Sequence, residues 1–286
     1  MVGFICSDIM FQRQNGDPIA VYTTIRTVGR EIEGYNKNPY SDVSVISNEP
    51  EIIKKFMNFR KYDVIDVKGV FDILTYEKKV DCPYCLDTYT KENGTSTFIY
   101  AIYTAKLGSV AQAADLAALD DNAGAKDTEK TPEGVISSNY REVSNQILAV
   151  GTVVSPPEDI SFGKTRCCRY RIGVDRKYYI KSQSDTKADY PWVYSYGKQA
   201  ESDLRHIIAA DKEKGIPGTI VLVDGFYSQR KVNIKRECES CHNIYQYTDL
   251  MTQFVPYSVE YLSGYLTDEE IAEKEKLQAE TPEDEE

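Results

Sequence analysis

The stretch "VIDVKGVFDILTYEKKVDCPYC" at residues 64–85 aligns without a gap with "IVLVDGFYSQRKVNIKRECESC" at residues 220–241. Gly69 falls on Gly225, and each stretch ends in two cysteines that are separated by two residues. Similarity at one fixed offset, here 156 residues, is the sequence pattern of an internal repeat. We therefore expect the chain to contain two copies of one structural unit.

Each copy is expected to contain five strands with one helix between the third and the fourth. Strands are predicted where apolar and polar residues alternate, and the helix where apolar residues recur three or four positions apart. In the first copy the strands are predicted at 2–12, 19–29, 41–47, 62–76 and 96–105, and the helix at 50–60. In the second copy they are predicted at 145–155, 164–176, 189–197, 218–234 and 252–262, and the helix at 198–215. This order is that of the OB fold, so the sequence predicts a mainly β chain with two tandem OB-fold β-barrels.

The negative charge of the chain is concentrated in two segments. The formal net charge is −11, yet residues 267–286 alone hold ten acidic residues and two lysines, and residues 108–135 are acidic as well. The remainder is close to neutral, which leaves room for basic patches. We therefore predict a divergent first OB-fold domain at 1–107, an acidic linker at 108–140, a second OB-fold domain at 141–266 and an acidic disordered tail at 267–286.

The chain carries no pattern that directs it to a membrane. Residues 1–14 lack a basic start and a small-residue cleavage site, and no apolar run approaches the roughly 20 residues that cross a bilayer. We expect a soluble, cytoplasmic protein. Seven cysteines in that compartment favour metal binding or burial over disulfides.

Two Cys-x-x-Cys pairs predict a metal centre whose ligands are Cys82, Cys85, Cys238 and Cys241. Structural zinc takes four ligands in a tetrahedron, and the two pairs supply four thiolates. If the barrels pack about a pseudo-twofold axis, their equivalent loops meet, so we expect one structural Zn2+ shared by the two repeats. Two alternatives stay open. Each pair has its own further ligands, for which the second copy offers His242, Cys167 and Cys168, or the thiols are simply buried or redox-active.

Three stretches of the second copy are specific in combination. They are "NQILAVGTVVSPPE" at residues 145–158, "WVYSYGKQAE" at 192–201 and "KGIPGTIVLVDGFYSQRK" at 214–231. Together they resemble the first strand, the third strand with its following helix, and the fourth strand of the bacterial and phage single-stranded DNA-binding protein family. The resemblance reaches the first copy only through the duplication. It implies a protein that coats strands exposed in DNA replication and recombination, in a bacterial or phage-infected cell and associated with the nucleoid.

The resemblance also implies partners. The acidic tail of the family recruits replication or repair proteins, and four barrels per assembly imply a homodimer of this chain. The sequence contains no phosphate-cradling glycine loop and no nucleophile with its base, so we expect no catalytic residue and no enzyme. Two other classes stay open: a protein-interaction or assembly module of a replication complex, and an RNA-binding OB protein.

The candidate nucleic-acid residues combine aromatic rings for unstacked bases with cations for phosphates. Alternation places the rings of 189–197 on one face of the third strand. On the second strand Arg169 and Arg171 share the face that we assign to the ligand, while Tyr170 and Ile172 take the core side. The predicted set is Tyr22, Arg26, Arg166, Arg169, Arg171, Lys177, Tyr178, Lys181, Trp192, Tyr194, Tyr196, Lys198, Arg230 and Lys231.

Overall fold

The computed structural model describes residues 1–35, 38–119, 131–176 and 188–280, and these are mainly β, as predicted. The first repeat contains the strands β1 (Val2–Ile5), β2 (Met10–Gln14), β3 (Asp17–Val28), β4 (Tyr40–Ser47), β5 (Asp63–Asp81) and β6 (Thr88–Ser109), and the helix α1 (Pro50–Phe56). The connecting segment contains the helices α2 (Ala111–Leu119) and α3 (Pro132–Ser144). The second repeat contains the strands β7 (Ile147–Val153), β8 (Glu158–Asp159), β9 (Cys167–Asp175), β10 (Ala188–Asp189), β11 (Trp192–Tyr196), β12 (Ile220–Glu237) and β13 (Ile244–Ser263), and the helices α4 (Gly197–His206) and α5 (Asp268–Glu280).

Each repeat forms a closed ring of five strands. The order around the first ring is β1-β5-β6-β4-β3, and β1 closes it by pairing with β3 as well. The order around the second ring is β7-β12-β13-β11-β9, and the pairing of β7 with β9 closes it. One pair in each ring is parallel, β4 with β6 and β11 with β13. The chain therefore takes the same path twice.

The two glycines that align in the sequence lie at the same point of each ring. Gly69 and Gly225 occupy β-bulges, where the register between the fourth and the fifth ring strand shifts. A Cβ atom at these positions would overlap the carbonyl oxygen of Tyr100 or of Val255 in the neighbouring strand. Only glycine permits this close approach, and the bulge bends the strand so that the ring can close.

An apolar core runs through both rings. Tyr170 and Ile172 are fully buried in it, as predicted from the alternation along β9. At the contact between the repeats, Phe71 and Phe254 meet edge to face with ring centroids 5.2 Å apart. These contacts pack the two rings against each other along their long hairpins.

Helix α3 lies on the outside of the first ring, within the segment predicted as a linker. Its Ile136 is buried against Val2 of β1. Directly after the helix, the side chain of Asn145 donates to the carbonyl of Tyr227 at 2.7 Å and accepts from the N–H of Tyr227 at 3.0 Å. The segment therefore does more than connect, since its helix covers the first ring.

Helix α4 is shorter than predicted, because it ends at His206 and not near residue 215. Beyond its end the backbone N–H of Ile208 donates to the Thr219 hydroxyl at 2.8 Å, and that of Ala210 to the Val153 carbonyl at 2.9 Å. These tertiary hydrogen bonds replace the helical ones. None of the helices in the described ranges has the length and apolarity that crossing a membrane requires.

The acidic tail differs from the prediction of disorder over residues 268–280, which form α5. Thr267 and Glu270 make a capping box: the Thr267 N–H donates to the Glu270 carboxylate at 2.8 Å, and the Glu270 N–H to the Thr267 hydroxyl at 3.3 Å. Acidic side chains in the first turn also suit the positive end of the helix dipole. A high negative charge is therefore compatible with a helix here. Residues 281–286 lie outside the described residues.

Candidate metal centre and nucleic-acid interface

Two long hairpins carry the cysteine pairs away from the rings. β5 stays paired with β6 as far as Asp81 and Thr88, and β12 with β13 as far as Glu237 and Ile244. We call their outer parts, residues 77–91 and 231–249, the two arms. They are longer than predicted because each strand continues past its apolar part through charged residues, whose backbone is paired within the hairpin.

The arms are joined side by side through Asp249. Its carboxylate is 5% exposed and lies 2.9 Å from the ammonium of Lys78 and 2.6 Å from that of Lys91, both on the first arm. Burial alone would raise the pKa of Asp249, but the hydrogen bonds from Lys91 and Lys78 outweigh it and lower the pKa. Nearby, the guanidinium of Arg236 lies 3.5 Å from the ring centroid of Tyr89. Ion pairs and a cation–ring contact therefore join the two arms.

The four cysteine sulfurs meet at the tip of the arms. Cys82 Sγ lies 3.8 Å from Cys241 Sγ, and Cys85 Sγ lies 3.5 Å from Cys238 Sγ. All four Sγ atoms lie within 4.8 Å of one another. A tetrahedron of thiolates around zinc has edges of about 3.8 Å. The cluster therefore has the ligand type and the dimensions of a structural metal site.

The backbone turns in the same way behind each cysteine pair. Leu86 and His242, one residue after the second cysteine of their pairs, have φ angles of 62° and 58°. This conformation is uncommon for residues other than glycine, and it persists where the surrounding structure enforces it. The N–H of Asn243 lowers the pKa of the Cys241 thiol to about 6, whereas contacts with the other three sulfurs outweigh the N–H of Asp87 and raise the pKa of the Cys85 thiol to about 12.

The shared arrangement agrees with the first of the three predictions for the cysteines. His242 does not join the cluster, since its Nδ1 lies 3.2 Å from a carboxylate oxygen of Glu237. Cys167 and Cys168 are buried within the second ring, in two different apolar clusters. The structure therefore places the two cysteine pairs in one cluster and not in separate sites.

The accessible aromatic surface of the second ring centres on Trp192, which is partly exposed. The register pairs Trp192 with Arg171, and the guanidinium carbons of Arg169 and Arg171 lie 5.3 and 5.4 Å from its ring. Arg169 is also bound to Glu158 at 2.6 Å, whereas Arg171 has no carboxylate partner within the described ranges. Tyr190, 47% exposed, continues this surface. We call these four side chains, Trp192, Arg169, Arg171 and Tyr190, the Trp192 face.

Two rings of the predicted set are not accessible. Tyr194 and Tyr196 are 6% and 4% exposed because a loop of the first repeat covers this part of the strand. The Tyr35 ring of that loop lies 5.1 Å from Tyr196 and 5.4 Å from Phe226, and its hydroxyl is hydrogen-bonded to Ser228 at 3.1 Å. The expectation that Tyr194 and Tyr196 present their faces to bases is therefore corrected.

On the corresponding surface of the first ring, acidic side chains engage the predicted cation. Arg26 donates to Asp42 at 2.7 Å and to Glu133 of α3 at 2.6 Å, and these bonds raise its pKa. Tyr22 meets Phe98 edge to face at 6.0 Å. The cation that was predicted to bind phosphate is thus already engaged by two carboxylates.

A groove of about 880 Å3 runs between the repeats and contains three of the predicted cations. Arg26 lines it from the first ring, and Arg230 and Lys231 line it from β12. Arg230 contacts the sulfur of Met251 at 3.4 Å, and neither Arg230 nor Lys231 has a carboxylate partner within the described ranges. The groove therefore offers two positive charges without a carboxylate partner, beside Asp42 and Glu133, which also line it and are paired with Arg26.

The remaining predicted residues are spread more widely. Arg166 is largely exposed, with Glu201 at 3.5 Å, and Lys198 is exposed in the first turn of α4. Lys177, Tyr178 and Lys181 lie outside the described residues.

Tyr35 and Glu133 were not predicted, although both act directly on these surfaces. Tyr35 reaches Ser228 across 193 positions of the chain, and Glu133 reaches Arg26 across 107. Local alternation contains no signal for such distant contacts. The one available signal for Glu133 was the Thr-Pro-Glu helix start at residues 131–133.

The fold is shared with known single-stranded DNA-binding proteins. The crystal structure of the wild-type single-stranded DNA-binding protein from Thermus aquaticus matches 92% of this chain and 90% of its own length, with a TM-score of 0.53 and 11% identity. A deletion mutant of the Thermus aquaticus protein matches 94% and 95%, with a TM-score of 0.51 and 12% identity. No family model and no curated protein sequence matches the chain. The resemblance predicted from the sequence is thus confirmed for the fold.

Proposed function

We propose that the chain is a non-enzymatic single-stranded DNA-binding protein made of two tandem OB domains, at 1–107 and 141–266, that coats strands exposed in replication and recombination. The observation that carries this proposal is the Trp192 face: a partly exposed indole between two guanidinium groups on the outside of a closed five-stranded ring. The shared fold with a protein that is named for binding single-stranded DNA supports it.

The second ring supplies the main binding surface. A base stacked on Trp192 would contribute about 1–3 kcal/mol, and every base has a face that can stack, so binding would tolerate any sequence. Arg171 lies beside that ring without a carboxylate partner in the described ranges and would contact phosphate. Arg230 and Lys231 would continue the phosphate path into the groove between the repeats.

The four clustered cysteines would hold one structural Zn2+. The ion would supply four bonds that fix the two arms to each other, and it performs no reaction in this role. The close approach of the four sulfurs and the matching turns behind them support this assignment. Because the two pairs come from different repeats, zinc binding would stabilise the contact between them.

The acidic C-terminal segment would recruit replication or repair proteins. Residues 268–280 present a helix whose first turn is acidic, which suits a basic partner surface. A strand-coating role would place the protein at the nucleoid, and a homodimer would bring four rings into one assembly.

Fluorescence anisotropy of labelled oligonucleotides tests the proposal. Single-stranded DNA is expected to bind more tightly than duplex DNA or RNA, with log Kobs falling linearly as log salt concentration rises. A truncated chain of residues 1–266 is expected to bind more tightly at low salt, because the acidic tail competes with DNA. Absence of binding in both proteins would contradict the proposal and favour the interaction module, and a preference for RNA would favour the RNA-binding class.

A further inference from the structure

The helices α1 and α4 occupy the same place in their repeats, between the third and the fourth strand of the ring, and both end in basic side chains. The last turn of α1 contains Lys54 and Lys55, and that of α4 contains Arg205 and His206. Cations suit this end of a helix because it is the negative end of the helix dipole. The two repeats therefore present two equivalent basic positions, and what covers each of them can be compared.

In the second repeat the acidic helix α5 covers this position. The backbone N–H of Leu266, just before α5, donates to the His206 carbonyl at 2.9 Å, and His206 Nδ1 lies 2.7 Å from the Leu266 carbonyl oxygen. A carboxylate oxygen of Asp268 lies 4.0 Å from the guanidinium of Arg205, and Ile271 is buried. The first turn of α5 is therefore held on α4 beside basic side chains.

In the first repeat the chain that follows β6 takes a different course. Val110 and Ile136 of this segment pack in one apolar cluster with Val2 of β1, away from the end of α1. Lys54 and Lys55 are exposed, and neither has a carboxylate partner in the described part of the chain. The basic position of the first repeat is therefore open to solvent.

The open position continues onto the neighbouring strands β5 and β6. The ammonium of Lys55 donates to the Thr104 carbonyl at 2.9 Å and lies 5.0 Å from the centroid of the Tyr103 ring, and the ammonium of Lys68 lies 5.3 Å from the same centroid. Tyr103 is 42% exposed, and Met57, directly after α1, is 57% exposed. We call this set of three cations and two partly apolar side chains the α1 surface: Lys54, Lys55, Met57, Lys68 and Tyr103.

The second half of α5 has the complementary character. Glu273 and Glu275 are exposed, and Leu277 is 58% exposed. Residues 267–286 together hold ten acidic residues and two lysines. Because α5 is held on α4 by its first turn, its second half is left accessible to another molecule.

We propose that the second half of α5 in one copy of this chain docks on the α1 surface of a second copy, with its carboxylates on the three lysines and Leu277 against the two partly apolar side chains. Two copies make this contact reciprocally about a twofold axis, so the pair is closed. The contact uses none of the residues proposed to bind a single strand, and it forms without DNA.

The test is a charge exchange between two full-length variants, Lys54→Glu with Lys68→Glu and Glu273→Lys with Glu275→Lys. Sedimentation equilibrium without DNA is expected to show an association of the unchanged chain that weakens as salt is added. Each variant alone is expected to associate at least about fourfold more weakly, because the pair loses four exposed ion pairs, each a factor of about 1.4 to 5. An equimolar mixture of the two variants is expected to regain the association, because both contacts again join opposite charges.

The matched control is Lys164→Glu with Lys212→Glu, which makes the same change of charge at two other exposed lysines and is expected to leave the association unchanged. Circular dichroism checks that all variants are folded. A monomeric unchanged chain at every salt concentration, a mixture that associates as weakly as each variant alone, or an equal loss in the control would each overturn the inference. Oligonucleotide binding by the unchanged chain tests the proposed function separately, since either result can fail without the other.

Discussion

The two rings share a path but differ on the face that would meet a nucleic acid. In the second ring the face presents a partly exposed Trp192 between two guanidinium groups. In the first ring β4 presents Asp42 and Ser44 at the corresponding strand, and Arg26 is bound by two carboxylates. The parts that close and join the rings, the bulge glycines and the cysteines, are the same in both. The scaffold is therefore present in both repeats, whereas an indole between two guanidinium groups is present only in the second.

The first repeat also contacts the second ring directly. Its loop covers half of the second ring's aromatic strand through Tyr35, and its arm supplies Cys82 and Cys85 to the shared cluster. We infer that the first ring supports and limits the binding surface of the second.

The double change Cys82→Ser and Cys238→Ser removes one ligand from each arm. We expect loss of bound zinc and of about 4 kcal/mol in the free energy of unfolding, the linkage for a ligand present at about a thousand times its dissociation constant. Metal analysis and thermal unfolding measure both quantities. The control is Cys6→Ser, outside the cluster, which should keep its zinc. The metal site would be contradicted if the unchanged protein, purified without added zinc, contained no zinc and had four reactive thiols.

Trp192→Ala and Tyr22→Ala compare the two faces directly. We expect Trp192→Ala to weaken oligothymidylate binding about 5- to 150-fold, which corresponds to one stacked base. Tyr22→Ala should weaken it less than about twofold, because Arg26 on the same strand is already engaged by two carboxylates. Equal losses in anisotropy titrations, with both variants folded by circular dichroism, would mean that both rings bind.

Asp249→Asn tests the joint between the arms. Replacing the carboxylate should lower the free energy of unfolding by about 1–3 kcal/mol, because two lysines lose their charged partner. The pKa of Asp249 is lowered in the folded protein, so its contribution is present above the unfolded value near 4 and is lost as the pH falls through the lower folded value. Urea unfolding of both proteins between about pH 2 and pH 7 should therefore give curves that converge at the acid end. A difference that persists at the lowest pH would contradict this assignment.

Glu133→Gln removes one of the two carboxylates that engage Arg26, and Asp42 still binds it. We expect binding at low salt to tighten by less than about fivefold, in line with a partly exposed ion pair. Glu142→Gln on the same helix, whose carboxylate is 77% exposed, is the matched control for the loss of one negative charge. The same gain in both variants would show a general charge effect and no specific effect of the Arg26–Glu133 ion pair.

Much of the fold could be predicted because its decisive features are local or repeated. Apolar alternation predicted the core side of β9, and the offset of 156 residues predicted that Cys82 and Cys238 occupy equivalent positions. Equivalent loops that are related by a pseudo-twofold axis can meet. The contact between the two cysteine pairs could therefore be predicted although they are 156 residues apart in the sequence.

The accessible face could be predicted only in part. Alternation along one strand indicates which side chains share a face, but it does not indicate which other part of the chain covers that face. Tyr194 and Tyr196 are buried by a loop almost 160 positions away, and Arg26 is neutralised by a helix from the predicted linker. Helix α4 ended early for the same reason, because distant hydrogen-bond partners outweighed the helical pattern.

Trp192 is the single tryptophan of the chain, so its emission reports the proposed face alone. The most direct measurement is a titration of this emission with oligothymidylate, alongside anisotropy of the labelled strand. We expect saturable quenching that follows the anisotropy curve, that salt reverses and that duplex DNA does not reproduce. Binding by anisotropy with unchanged Trp192 emission would contradict a single open face on the second ring.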